Sequence, residues 1–158
     1  MYKHYDKDGT AISLHDCRVE KASFENGVLT FYFPKDGFWV LPDHERNSTG
    51  EAVRTDASEV RFHLLSETEE ESQCYVFHKK SERKSVRKQW TISELVSAIN
   101  SGKYQVEFLY RYVGGYKELV FACELWSDKK PYHRECQLWL SVQDVMYCWN
   151  DFAECYRE

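Results

Sequence analysis

The glycine pair Gly114-Gly115 constrains the fold of this chain more than any other feature of its sequence. Two runs in which apolar and polar residues alternate, residues 104–113 and 116–126, meet at this pair. Alternation with a period of two is typical of β-strands that have one buried face. Paired glycines between such runs suit the positive backbone angles of a two-residue hairpin turn.

A two-residue turn at this pair would fix the register of both strands. It predicts that Val113 faces Tyr116 and that Arg111 lies opposite Glu118, which would be a favourable cross-strand charge pair. Because side chains alternate between faces, the same register sorts every residue of the hairpin. The face that we predict to be buried carries Tyr104, Val106, Phe108, Tyr110, Tyr112, Leu119, Phe121, Cys123 and Leu125.

Other segments also read as strands. Asn26-Gly27 predicts a second tight hairpin in which Glu25 faces Val28, with a break near Glu20, where the apolar pattern fails. Further alternating segments are found at residues 59–65, 74–79, 85–90 and 132–140. The richness in aromatic residues, with 11 Tyr, 9 Phe and 5 Trp, also favours strands.

One helix is predicted over residues 91–101. Thr91 and Glu94 form a capping box, and the apolar residues Ile92, Leu95 and Ile99 follow with helical spacing. A short C-terminal helix is also predicted. It rests on a second possible capping box, Ser141 with Asp144, and on Val142, Val145, Met146 and Trp149.

These elements predict an α+β fold in a single domain over residues 1–158. A mainly antiparallel, curved or split sheet of eight or nine strands would pack against the central helix, and a partial β-barrel is the alternative. The length is sufficient to bury about 70% of the unfolded surface.

The N-terminus lacks the apolar core of a signal peptide and no apolar run approaches 20 residues, so we expect a cytoplasmic protein. Six cysteines without close pairing are expected to be buried free thiols.

Charge is unevenly distributed along the chain. The net charge is −5, whereas residues 79–89 hold six Lys/Arg against one Glu. The cationic residues of this run could bind phosphates or could protect a sheet edge: Lys79, Lys80, Arg83, Lys84, Arg87 and Lys88. Because a general nucleic-acid binder is usually basic overall, a role as a nucleic-acid-binding adaptor ranks below the alternatives.

No catalytic motif is recognisable. His15-Asp16 precedes a predicted strand, where a turn or capping role is favoured over catalysis. His15 with Cys17 and His133 with Cys136 are the only close His/Cys pairs, which is too few for a zinc site, and no cofactor is predicted. The sequence has no glycine-rich phosphate loop and no nucleophile elbow.

Residues 14–41, LHDCRVEKASFENGVLTFYFPKDGFWVL, resemble the opening of small uncharacterised bacterial proteins. The resemblance rests on His15, Asp16, Asn26-Gly27, Phe31, Phe33, Gly37 and Phe38. Some of those proteins are suspected immunity or accessory proteins. The resemblance implies no catalytic residue.

The leading hypothesis is a non-catalytic protein that binds another protein, such as an immunity-type inhibitor of a toxin. An acidic face with aromatic anchors would complement a basic partner. The candidate contact residues are Trp39, Trp90, Trp126, Trp139, Glu67, Glu69, Glu70 and Glu71. The alternative is a small enzyme or ligand binder with a pocket between helix and sheet. A deep cavity with converging polar groups and a buried ionisable residue would favour it.

Overall fold

The computed structural model of this protein describes residues 1–116 and 118–156. In this part of the chain, thirteen strands, one α-helix and a terminal 3-10 turn follow in order: β1 (Tyr2–Tyr5), β2 (Ile12–Ser13), β3 (Cys17–Val19), β4 (Lys21–Glu25), β5 (Val28–Phe33), β6 (Trp39–Val40), β7 (Val53–Arg54), β8 (Ser58–Leu64), β9 (Gln73–Ser81), β10 (Lys84–Trp90), α1 (Ile92–Asn100), β11 (Gln105–Val113), β12 (Glu118–Trp126), β13 (His133–Trp149) and the 3-10 turn (Glu154–Tyr156). The predicted α+β fold, mainly antiparallel with one helix, is confirmed. The strands outnumber the expected eight or nine because several have only two or three residues.

Ten strands form one antiparallel sheet, whose main path runs β3-β11-β12-β13-β8-β5-β4. Strand β13 is 17 residues long and organises the sheet. Its first half pairs with β12 and β9, and its second half pairs with β8 and β1. The hairpin β9–β10 extends from β13 at one side. Strands β2, β6 and β7 form a separate three-stranded sheet.

The large sheet is open and strongly curved. Its path begins at β3 and ends at β4, although these two strands are separated along the chain by Glu20 alone. Its inward side chains therefore meet across the interior: the rings of Phe31 and Phe108 lie 5.5 Å apart, as do those of Phe62 and Phe121. The sheet thus wraps a continuous apolar core without closing into a barrel.

Helix α1 packs on the inner side of the curved sheet, mainly against β4. The predicted capping box is present, with the Thr91 side chain accepting from the Glu94 amide and the Glu94 carboxylate accepting from the Thr91 amide. Ile92, Leu95 and Ile99 are buried, as their helical spacing predicts.

A segment at the N-terminus covers another part of the core. The carboxylate of Asp6 accepts hydrogen bonds from four consecutive backbone amides, from Gly9 to Ile12, at 2.9–3.2 Å. These bonds fold residues 6–12 into a tight loop that leads into β2. Strand β2 then pairs with β6 of the small sheet.

The Asn26-Gly27 hairpin is confirmed in detail. Glu25 pairs with Val28, and both turn residues have positive φ, 50° and 72°. The predicted break at Glu20 is also found, between β3 and β4.

The chain does reverse near Gly114-Gly115, but the predicted register was wrong. The Gly114 amide donates to the Glu118 carbonyl and the Glu118 amide donates to the Gly115 carbonyl, so the connection is longer than two residues. Val113 pairs with Leu119 rather than facing Tyr116. Arg111 accordingly pairs with Phe121 and not with Glu118.

A bulge at Leu109 also changes which residues of β11 are buried. Val106 and Phe108 face the core as predicted, but the extra residue shifts the alternation by one. Tyr110 and Tyr112 are therefore exposed, 57% and 58%, rather than buried. Arg111, predicted to face outward, shares the inner side with its partner Phe121.

The residues proposed for the C-terminal helix, 142–149, continue strand β13 instead. A bulge at Gln143 shifts the alternation, so that Val142 and Val145 both face the core at a spacing of three. That spacing imitates one turn of a helix. The only helical turn near the C-terminus of the described chain is the 3-10 turn, whose residues are not buried.

Candidate functional site

The outer face of the sheet, on the side away from the core, carries a shallow aromatic trough. Its floor is formed by Val120 and Ala122 of β12, small side chains between two rows of larger ones. Register places Tyr112 and Trp139 on either side of Val120, and Tyr110 and Gln137 on either side of Ala122. We call this surface the aromatic trough: Tyr110, Tyr112, Val120, Ala122, Gln137 and Trp139. Neighbouring strands lie about 4.8 Å apart, so the trough is about 10 Å across between the backbones of its walls.

Three glutamates lie in one line beside the trough. Glu107 of β11 is directly opposite Glu124 of β12, and Glu124 is directly opposite Glu135 of β13. We call these residues the glutamate row. Glu124 is two residues beyond Ala122 on the same strand, so the row lies about 7 Å from the trough floor. Like charges directly opposite each other on neighbouring strands destabilise a sheet.

Two side chains contact carboxylates of this row, Arg18 and His133. Arg18 of β3 bonds to Glu107 at 2.6 Å and covers the Trp126 ring at 4.7 Å. The Nδ1 atom of His133 lies 2.9 Å from Glu124, and its ring lies 5.1 Å from that of Trp126. Trp126, two residues beyond Glu124 on β12, thus contacts Arg18 and His133 on the side of the row away from the trough.

The four tryptophans proposed as anchors occupy different places. All are partly buried. Trp139 lines the trough and Trp126 borders the glutamate row, so these two belong to one outer surface. Trp90 packs on Tyr104, and Trp39 donates to the His15 carbonyl at 2.9 Å under the Arg54 guanidinium. The latter two contribute to packing away from that surface.

The acidic cluster Glu67, Glu69, Glu70 and Glu71 lies in the connection between β8 and β9. Glu69 has a structural role, because its carboxylate accepts from the amide and the hydroxyl of Ser93 in the first turn of α1, at 2.7 and 2.8 Å. The other three glutamates are exposed. The carboxylates that border aromatic residues are instead those of the glutamate row. The sequence did not reveal the row because it depends on strand order and register.

The basic run covers the end of β9, the turn and most of β10 in the β9–β10 hairpin. Lys79, Lys80, Arg83, Lys84, Arg87 and Lys88 are all exposed. Arg87 lies over the ring of Tyr75 at 4.4 Å, and Tyr75 packs edge-on against Trp139. Beyond Val76 and Cys136 the hairpin diverges from β13, which leaves an open cleft of about 1140 Å³ between residues 77–85 and 131–135. Glu124 and Glu135 of the glutamate row also line this cleft.

A second, smaller cavity lies on the inner side of the sheet. Its volume is about 250 Å³, and it is lined by Gly9, Ile12, Ser13, Leu14, His15, Leu41, Phe108, Leu109, Tyr110, Arg111, Phe121 and Tyr147. Its walls are the N-terminal segment, Leu41 and strands β11 to β13. This cavity lies under the N-terminal segment, and the pocket between helix and sheet that the ligand-binding alternative expects stays a prediction.

The Nδ1 atom of His15 lies 3.1 Å from a carboxylate oxygen of Asp16, and roughly half of each side chain is exposed. Asp16 has a positive φ of 57°, which Asp tolerates better than most residues.

Five of the six cysteines are buried and Cys155 is exposed. In the described residues, no three His, Cys, Asp or Glu side chains are grouped to hold a metal ion.

Among the described residues, none of the helical structure is long and apolar enough to cross a membrane. Comparisons with protein-family models, with curated proteins and with solved structures find no match to this chain. The resemblance of residues 14–41 to small bacterial proteins therefore stays a prediction.

Proposed function

We propose that this chain is a binding protein for another protein, and that its aromatic trough and glutamate row together bind a partner segment with basic side chains. The observation that carries the proposal is the position of the row. Three glutamates in register on adjacent strands border an exposed apolar trough.

The energetics of the outer face support a role in binding. Opposed like charges cost stability, and conflicts of this kind between local preference and fold are expected at functional sites. Exposed aromatic side chains supply the large contact area that dominates binding energies. A Lys or Arg side chain lying along the trough floor would reach the carboxylates of Glu107, Glu124 and Glu135 with its charged end.

An immunity-type inhibitor of a basic toxin would use this chemistry. Charge complementarity would accelerate encounter and select against acidic competitors. The trough would contribute affinity at the centre of the contact, and the row would orient the partner. The hairpin residues Lys79, Lys80, Arg83 and Lys84 line one cleft with Glu124 and Glu135, so a basic partner segment would reach the row from the side of the trough.

The test compares two triple variants that remove the same charge from different surfaces. E107Q/E124Q/E135Q neutralises the glutamate row, and E67Q/E70Q/E71Q neutralises exposed glutamates of the β8–β9 connection. Each protein and the wild type are immobilised and exposed to lysate of the source cells. Any protein retained by the wild type is identified and purified, and its affinity for all three is measured at low and high salt.

The proposal expects a partner with a basic surface whose affinity falls at least about tenfold for the row variant and stays unchanged for the control. A Tyr112→Ser variant, which changes an exposed trough residue, should weaken the same complex. The assignment would be refuted if both triple variants lost the same affinity for the partner. It would also be refuted if neutralising the glutamate row left the affinity unchanged.

A further inference from the structure

The inner cavity has a feature that the proposed function does not use, which is the position of Arg111. The bulge at Leu109 turns this residue from the outer face to the inner side of β11. Its guanidinium donates to the carbonyl oxygens of Lys7 and Asp8, the latter at 2.6 Å, and borders the cavity. Bulges that redirect a side chain are frequent next to functional sites.

Arg111 has no carboxylate partner in the described part of the chain. Asp6 would be the natural candidate, but its two oxygens already accept the four amides of residues 9–12. Carbonyl oxygens neutralise no charge, and two of the five guanidinium N–H groups are used on them. Three N–H groups of Arg111 therefore have no acceptor among the described residues.

Tyr147 brings a second polar group to the same cavity. The residue is 2% exposed and lines the cavity. Tyrosine hydroxyls in such places usually have a hydrogen-bond partner, which a ligand in the cavity would supply. Burial raises the pKa of Tyr147 above its ordinary value, an effect that Asp6 strengthens and Arg111 opposes. The group is therefore a neutral hydrogen-bond donor at physiological pH.

Ser13, His15 and Tyr110 add further polar groups to the lining, and its apolar part is formed by Ile12, Leu14, Leu41, Phe108, Leu109 and Phe121. Phe108 and Phe121 pack edge-on at 5.2 Å, and both are almost fully buried, as is Leu14. A cavity of 150 Å³ with an apolar lining is enough to hold benzene. The cavity of about 250 Å³ therefore has room for a ring or a short chain together with a charged head group.

We propose that this cavity binds a small organic carboxylate with a compact apolar body. The carboxylate lies at Arg111 and accepts a hydrogen bond from the Tyr147 hydroxyl, while the body packs on Phe108, Phe121 and Leu14. Planar, multidentate recognition of carboxylates is the chemistry for which a guanidinium is best suited. The cavity shares Tyr110 with the aromatic trough, but Arg111 and Tyr147 lie outside that trough, so variants of these two residues test the cavity independently of the proposed protein partner.

The experiment is an NMR titration of the full chain, labelled with nitrogen-15, with two carboxylates and their neutral amides: benzoate with benzamide, and hexanoate with hexanamide. At least one carboxylate should give saturable shifts centred on the amides of residues 9–15 and 108–111. The matching amide should bind at least about tenfold more weakly, because it cannot form the charged hydrogen bonds.

Three variants locate the site. Arg111→Gln should weaken binding at least about tenfold, and Tyr147→Phe, which keeps the buried ring and removes only the hydroxyl, should weaken it several-fold. Arg87→Gln removes the same charge from the exposed hairpin and should have no effect. The proposal fails if neither carboxylate saturates by ~10 mM. It also fails if the amides bind as well, if Tyr147→Phe binds with unchanged affinity, or if Arg87→Gln weakens binding as much as the cavity variants.

Discussion

Glu107 and Glu124 lie directly opposite each other on neighbouring strands of the outer face. The arrangement persists because Arg18 approaches Glu107 from the far side, with bonds of 2.6 and 3.2 Å to one carboxylate oxygen. Arg18 also covers the ring of Trp126. One guanidinium thus offsets a repulsion between two acids and fixes an aromatic neighbour.

The first prediction is that removing the charge of Arg18 costs more stability than removing the charge of Glu107. Arg18→Gln should lower the free energy of unfolding by about 1–1.5 kcal/mol, because Glu107 keeps its charge and loses its partner. Glu107→Gln should cost less, within about 0.5 kcal/mol, because it removes the repulsion from Glu124 together with the ion pair. Urea denaturation of both variants and of the double variant measures this. A larger loss for Glu107→Gln than for Arg18→Gln would contradict it.

A second prediction concerns the edge strand β4. The side-chain amide of Asn100, at the end of α1, accepts from the Ala22 amide at 2.9 Å and donates to the Ala22 carbonyl at 2.8 Å. It therefore takes the place of a neighbouring strand. Asn100→Ala should destabilise the fold by about 1–3 kcal/mol, because it leaves two backbone groups without partners. Ser97→Ala, at an exposed position of the same helix, should stay within about 0.5 kcal/mol in the same thermal or urea measurement.

The third prediction is a loss of stability in mild acid. Burial lowers the pKa of His44 from its ordinary value near 6.5, and the neighbouring His4 adds to this. Burial also lowers the pKa of His78. Between the lowered pKa and 6.5 the unfolded chain binds protons that the folded chain excludes. The contribution of these two histidines to the free energy of unfolding is therefore fully present above pH 6.5. It is lost as the pH falls from 6.5 through their lowered pKa values.

Urea denaturation between pH 7.5 and pH 5 checks this third prediction. His44→Asn should reduce the dependence of stability on pH in this range, and His78 should account for part of what remains. Ser97→Ala, at an exposed position without an ionisable side chain, is the control and should leave the dependence unchanged. An undiminished dependence in His44→Asn would contradict the assignment.

The regular parts of the fold could be read from the sequence because local signals there agree. Asn26-Gly27 specifies a turn with positive φ at both residues, and the alternation on either side supports the same register. Thr91 and Glu94 likewise mark the start of a helix whose apolar stripe has the matching period. In each case, turn or cap chemistry and hydrophobic pattern lead to one structure.

The bulges could not be read in this way. An extra residue at Leu109 or Gln143 moves the following side chains to the opposite face, and neither residue type marks a bulge. The outer surface was missed for the same reason. The register expected from a two-residue turn would place Glu107 opposite Ala122, whereas the observed register places it opposite Glu124. The glutamate row thus depends on long-range pairing that alternation alone does not encode.

The fourth prediction is that one thiol per chain reacts readily. Burial raises the pKa of Cys17 to about 12 and also raises that of Cys148, and the thiolate is the reactive form. Cys155 is the exposed cysteine. Titration with an aromatic disulfide reagent should show one fast thiol in the native protein and six in denaturant. Cys155→Ser should remove the fast one, and a second fast thiol in the native state would contradict this.

The last prediction is that Glu69, which caps α1, contributes to stability, whereas exposed glutamates of the same acidic connection do not. Glu69 accepts two hydrogen bonds from Ser93 at the N-terminus of α1, where a negative charge is also favoured by the helix dipole. Glu69→Ala should therefore cost about 1 kcal/mol of unfolding free energy. Glu70→Ala, one residue away and exposed, should change it by less than about 0.5 kcal/mol. Equal effects in urea denaturation would mean that Glu69 does not cap the helix. This difference is also the reason why the control triple variant of the binding experiment leaves Glu69 in place, since a weakened helix would alter retention of a partner for reasons unrelated to charge.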